Sequence, residues 1–208
     1  MKKFISIMLL LACALTCSFA LASCDEPVDP VPEKPVVVYS EASAAFINAV
    51  KATAANTTDA TIKVEVQGET LNAAYHTVKN SDGTKTMTYA IEKLNGFDVA
   101  ENKTVVSGEA TSDAAGVFTD ENAKAFGANG ITLNLDKYNG TDFDASANVL
   151  RITVAAADTA AVLGTAIGAD AVVVITISGG AVSSVTVNYE TPAAKVEIVC
   201  EYDKAQEA

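Results

Sequence analysis

The chain has 208 residues, 26 acidic against 14 basic side chains, and a formal charge of −12 at pH 7. Nucleic acid is gripped by lysine and arginine, so an acidic chain with one arginine, Arg151, is a poor partner for it and cannot build an arginine cluster around a phosphate. A single histidine, His76, excludes metal sites made of several imidazoles, and the lack of tryptophan argues against the aromatic platforms that accompany glycosidase carboxylates.

Lys2 and Lys3 open the chain, and an apolar run from Phe4 to Ala22 follows, which is the layout of a secretory signal. The run ends in Leu21-Ala22-Ser23-Cys24, which resembles the lipobox of bacterial lipoproteins. That resemblance implies removal of residues 1–23, a diacylglycerol on the Cys24 thiol, and an exported protein held at the bacterial membrane or envelope by its lipid. Two acyl chains would anchor it durably, since each buried CH₂ contributes about 0.8 kcal/mol. Two other readings stay open: a retained helix approaching the ~20 residues that span a bilayer, and ordinary signal cleavage at Ala20-Leu21-Ala22 that leaves a soluble product. Two of the lysines lie in the first 23 residues, so the remainder carries −14. Anionic lipid head groups would repel it, and lipid rather than basic patches must then hold it.

Residues 24–39 hold four prolines and read as an acidic, stiff tether after the lipidated cysteine. The folded part, 40–208, opens with Ser40 as an expected N-cap. Ala42, Ala45, Phe46, Ala49 and Val50 fall at helical spacing and predict a long helix from Glu41 to Ala55. Alternation of Ile62, Val64 and Val66 with charged residues predicts a half-buried strand. Residues 70–79 and 84–92 flank Asn80-Ser-Asp-Gly83, a hairpin signal.

In the middle, strands are expected near 103–107, 115–119 and 131–135, a helical turn at 120–126, and a polar loop over 136–148. Leu150, Ile152 and Val154 then mark a strand. Residues 158–167 predict a short helix capped by Asp158 and closed by Gly168. A strand over 172–177 turns at Ser178-Gly-Gly180 into one carrying Val185, Val187 and Tyr189. Val196, Ile198, Cys200 and Tyr202 carry the closing strand. The sum is an α+β domain, with a long N-terminal helix and one or two short helices packed on a curved antiparallel meander, half-barrel-like, with one apolar face. This order of lipobox, linker, helix and strands resembles the half-barrel lipoprotein carriers of bacterial envelopes, which hold acyl chains or lipids in the concavity of the sheet.

Little in the chain points to catalysis. His76 lies on a strand with Ala74 and Val78, and no Gly-x-Ser-x-Gly elbow accompanies it. Asp142 and Asp144 offer oxygens in a turn-rich loop, but the glycine and distal glutamate of a calcium loop are missing. Gly127-Ala-Asn-Gly130 lacks the lysine of a phosphate cradle, and Gly164 reads as a helix-packing position. Cys200, alone once Cys13 and Cys17 leave and Cys24 is acylated, reads as a small buried hydrophobe. No catalytic residue, cofactor or metal ligand is expected. The expectation is a non-enzymatic, lipid-anchored binding protein whose partners are the membrane and either a hydrophobic small molecule or an envelope protein. Phe46, Val50, Met87, Tyr89 and Ile91 are the candidate lining. The alternative is a structural or adhesive surface module that binds another macromolecule.

Overall fold

The computed structural model describes residues 39–203 apart from 54, 67, 95–102 and 127–130. The signal segment, Cys24 and most of the tether therefore lie outside the described residues, as do Asn95-Gly96 and Gly127-Ala-Asn-Gly130.

The predicted long helix is two short ones, α1 (Tyr39–Ala42) and α2 (Ala44–Ala52). Ser43 separates them: its hydroxyl donates to the Tyr39 carbonyl at 2.6 Å, onto which its own N–H also bonds. Serine back-bonding of this kind competes with the helical ladder. Ser40 falls inside α1 rather than capping it. At the far end Thr53 is already extended, with ψ 115°, and its hydroxyl closes the helix by donating to the Ala49 carbonyl at 2.7 Å. Ala55 is therefore outside the helix.

Four strands follow as a meander: β1 (Thr57–Val66), β2 (Glu69–Lys79), β3 (Lys85–Leu94) and β4 (Lys103–Thr111). The Asn80–Gly83 turn forms where the sequence placed it, with Gly83 at φ +87° and the Asn80 N–H donating to Thr84. After β4 comes α3 (Glu121–Phe126), begun by Asp120, whose carboxylate accepts the backbone N–H groups of Asn122 and Ala123 at 3.0 and 2.9 Å. No strand forms at 115–119 or 131–135. Asp113 instead folds the first stretch into a turn, its carboxylate accepting from Ala115 and Val117. The second stretch leads into a 3₁₀ turn, Leu135–Lys137.

Five further strands complete the sheet. The first two are β5 (Phe143–Ala145), inside the predicted loop, and β6 (Val149–Val154). The short helix α4 (Thr159–Leu163) separates them from β7 (Ala171–Ser178), β8 (Ala181–Glu190) and β9 (Lys195–Tyr202). α4 stops at Gly164, which takes the left-handed conformation at φ +70°, four residues before the expected stop at Gly168. The β7–β8 turn is a two-residue loop with both glycines at positive φ, which matches the twist of the flanking strands.

The nine described strands form one open antiparallel sheet in the order β4-β3-β2-β1-β9-β8-β7-β6-β5. It is two meanders joined where the first strand pairs with the last, Ala60 opposite Cys200 and Ile62 opposite Ile198. The sheet with its few short helices keeps the α+β class but without the long N-terminal helix.

Candidate functional site

Cross-strand register defines the inner face. One row runs Gly108, Tyr89, Tyr75, Ala60, Cys200, Val185, Ile175, Leu150, Ala145, crossing all nine strands without a charged residue. Strands lie about 4.8 Å apart, so this apolar floor is roughly 38 Å wide. Alternate residues point to the other face.

Two separate clusters cover the floor. Over β5–β9, Phe46 and Ala49 of α2, Leu135, Tyr138 and the α4 residues Val162 and Leu163 pack on Leu150, Ile152, Val173 and Val187. Over β1–β4, among the described residues, Phe118, Ala123 and Ile131 pack on Ala73, Tyr75, Met87, Tyr89 and Ile91. Ile131, Ile198 and Tyr202 touch both clusters and form the seam.

The candidate lining is thus divided. Phe46 (buried) and Val50 (partly buried) belong to the β5–β9 cluster, whereas Met87, Tyr89 and Ile91, all buried, belong to the β1–β4 cluster. The two sets do not meet. Tyr89 is tied to the cover, its hydroxyl donating to an Asp120 carboxylate oxygen at 3.2 Å and accepting from the Asn122 amide at 3.4 Å. Backbone N–H donors, foremost that of Ala123, hold the Asp120 carboxyl below the usual carboxylate range.

At the seam, burial pushes the Cys200 thiol up to about 11, so it is a protonated, unreactive group at neutral pH. The same burial raises the Tyr202 phenol and takes Tyr75 to about 12. Cys200 behaves as the small buried hydrophobe that its strand position suggested.

Two concavities, of about 320 and 380 Å³, open on the outer, polar face. The first is centred on a pair that sequence reasoning missed: the His76 ring Nδ1 lies 2.6 Å from the Asp59 carboxylate, with Thr61, Thr88 and Glu201 around it. His76 and Asp59 are 17 positions apart, and only the β1–β2 register places them opposite each other. Both are more than a third exposed. Among the described residues, no three histidine, cysteine or acidic side chains gather in a way that could hold a metal ion. Asp136 lies 3.5 Å from Lys51, and Asp144 stands opposite Arg151 in the sheet, so the acidic residues of that loop face different neighbours. No described helix is long and apolar enough to cross a membrane.

No protein-family model matches the chain, and no curated protein matches it. Loose structural likenesses exist. LprF from Mycobacterium bovis is 10% identical, with a TM-score of 0.41 over 79% of this chain and 94% of that one. A redesigned β-barrel is 9% identical, with a TM-score of 0.22 over 76% of this chain and 98% of that one. A DUF1329 family protein from Desulfovibrio piger is 8% identical, with a TM-score of 0.22 over 84% of this chain and 96% of that one.

Proposed function

We propose that this chain is an exported, non-catalytic binding protein, anchored by a diacylglycerol on Cys24 and raised from the membrane by the 24–39 tether. Its domain takes a hydrophobic ligand against the inner face of the sheet, as in the half-barrel carriers that the sequence resembles. The observation that supports this reading is the uneven cover that the described residues give the two halves of the sheet. One half of a continuous apolar floor lies under α2, α4 and a 3₁₀ turn, while over the other half the cover, among the described residues, is Phe118, Ala123 of α3 and Ile131. Met87, Tyr89 and Ile91 lie under these residues and would line the ligand. Phe46 and Val50 would form the fixed wall beyond the seam.

A ligand entering there must displace Phe118, so the cover competes with it. Loosening the cover raises the fraction of binding-competent protein and tightens apparent affinity in proportion. Full chain carrying Cys24→Ser should therefore bind a fluorescent fatty acid saturably, and Phe118→Ala should bind it roughly tenfold more tightly. Absence of saturable binding in both proteins would sink the carrier reading. The anchor is tested by the intact mass of protein from its native membrane: a diacylglycerol-sized increment is expected that vanishes in Cys24→Ala.

A second reading, a surface module that binds a macromolecule, is favoured by the outer concavity around His76 and Asp59, whereas the described inner residues are filled in. It predicts no fatty acid binding and a partner whose capture from envelope extract is lost in His76→Ala.

A further inference from the structure

The two edges of the sheet differ. β5 is three residues long, whereas β4 presents nine residues without a proline or a bulge, and no described strand pairs with its outer side. A long flat edge is a template for another strand unless it is guarded. Of its two charged residues, Lys103 is turned away: its ammonium reaches back across β3 to the Thr70 carbonyl at 2.6 Å and to Glu69 at 3.6 Å, which leaves Glu109. Val105 stands 65% exposed on the outer face beside that edge.

The backbone pattern says which groups are on offer. The Ser112 N–H donates to the Lys85 carbonyl at 2.8 Å, which makes 112 and 85 a hydrogen-bonded pair. In an antiparallel ladder such pairs alternate, so the even-numbered residues of β4 spend their N–H and C=O groups on β3. Lys103, Val105, Ser107, Glu109 and Thr111 aim theirs at the open edge.

We infer that β4 pairs with β4 of a second copy of this chain, antiparallel about a two-fold axis at Val106. This register sets Lys103 opposite the second copy's Glu109 and Val105 opposite its Ser107. Every opposed pair on that face has its backbone groups turned outward, so each pair exchanges two hydrogen bonds. Neighbouring registers lose the charge match: a shift one way sets Lys103 opposite Ser107, and a shift the other way sets Val105 opposite Glu109. The exposed Lys103–Glu69 contact is weak, and the long lysine stem can serve either carboxylate. Pairing also covers Val105 by bringing the two copies of that side chain to diagonal positions across the axis. The product is one sheet of twice the width, with both apolar floors continuous.

The full chain carrying Cys24→Ser, so that lipid cannot drive association, is weighed by light scattering during size exclusion. The expected mass is that of two copies. Val105→Pro removes an edge-facing N–H but no bond to β3, so it should give one copy with an unchanged circular dichroism spectrum. If Val105→Pro fails to fold, Glu109→Lys carries the test: it should weaken association roughly tenfold by opposing like charges twice, and adding Lys103→Glu should restore it. A single-copy mass for the parent overturns the inference. So does a two-copy mass that neither Val105→Pro nor Glu109→Lys disturbs.

Discussion

Gly108 shows how one missing side chain shapes the β1–β4 half. A Cβ built there would lie 2.5 Å from the Tyr89 hydroxyl and 2.8 Å from the ring carbon that bears it. The ring of β3 lies over the bare backbone of β4, and its hydroxyl reaches Asp120 at the start of α3. An aromatic ring folded over a cross-strand glycine recovers apolar contact that the glycine cannot make. Gly108→Ala should push the ring off its hydrogen bonds and cost about 1–3 kcal/mol, the usual range for overpacking. In a Tyr89→Leu background the same change should be nearly silent, because the clashing atoms are gone. Thermal melting of the four proteins reads both outcomes, and equal losses in the two backgrounds would refute the ring contact.

Cys200 gives a pH signature at the same scale. Its folded-state value, about 11, stands above the usual 9.0, because burial disfavours the thiolate. Stability from the neutral thiol is therefore complete below pH 9 and is lost as the pH rises toward 11, by up to roughly 3 kcal/mol. Tyr75, raised from 10.0 to about 12, adds a later loss. Melting temperature should fall above pH 9, and Cys200→Ala should flatten the first part of that fall. A slope unchanged by the substitution would show that the thiol is not the group responsible.

At the level of elements, α2 is held to the sheet by Thr53 as well as by its apolar side. The Thr53 hydroxyl donates to Ala49 at the end of the helix and accepts the Val182 N–H from the start of β8 at 3.1 Å. Thr53→Val keeps the shape but leaves that buried donor without its acceptor, which costs about 1–3 kcal/mol. Amide exchange at Val182 should accelerate more than exchange in β3, and equal acceleration would mean a general loss of stability instead. Elements whose signals are local were legible in the sequence. Ser178-Gly-Gly180 announces its hairpin because two positive φ values suit glycine, and the alternation around Val185 and Val187 marks its strand. The spacing of Phe46, Ala49 and Val50 gives the face of the helix but not its ends, because the serine back-bond at Ser43 and the stop at Thr53 leave that spacing unbroken. Gly164 packs close to Thr132 and also ends α4, because its left-handed conformation outweighs about one further turn of weak helical pattern.

On the scale of the whole molecule, the decisive contact is the least local. β1 and β9 meet from opposite ends of the domain, and their junction is pinned by Asp203, whose carboxylate accepts the N–H groups of Asn56 and Thr57 at 2.8 and 3.0 Å. No period or motif encodes a pairing over that separation, which is why the seam and the division of the lining residues into two clusters could not be read from the chain. Neither could the His76–Asp59 pair, which depends on the β1–β2 register. The seam also determines how the molecule opens. Ile198 packs against both clusters and stands opposite Ile62 in β1 and Val187 in β8. Each meander has its own apolar cluster, so cooperation between them rests on this strip. Truncating Ile198 to alanine removes part-buried contacts from both sides and costs about 2 kcal/mol, at the low end for such a change. The larger effect should be on coupling. In the parent, amides of β3 and β7 should exchange through one opening with a shared free energy. In Ile198→Ala the β1–β4 half, over which the described cover is Phe118, Ala123 and Ile131, should open at a lower free energy than the β5–β9 half. Hydrogen exchange followed by mass spectrometry separates the two strands directly. If β3 and β7 stay matched in the variant, the halves are coupled by more than the seam, and a cover that yields to a ligand over β1–β4 alone loses its physical basis.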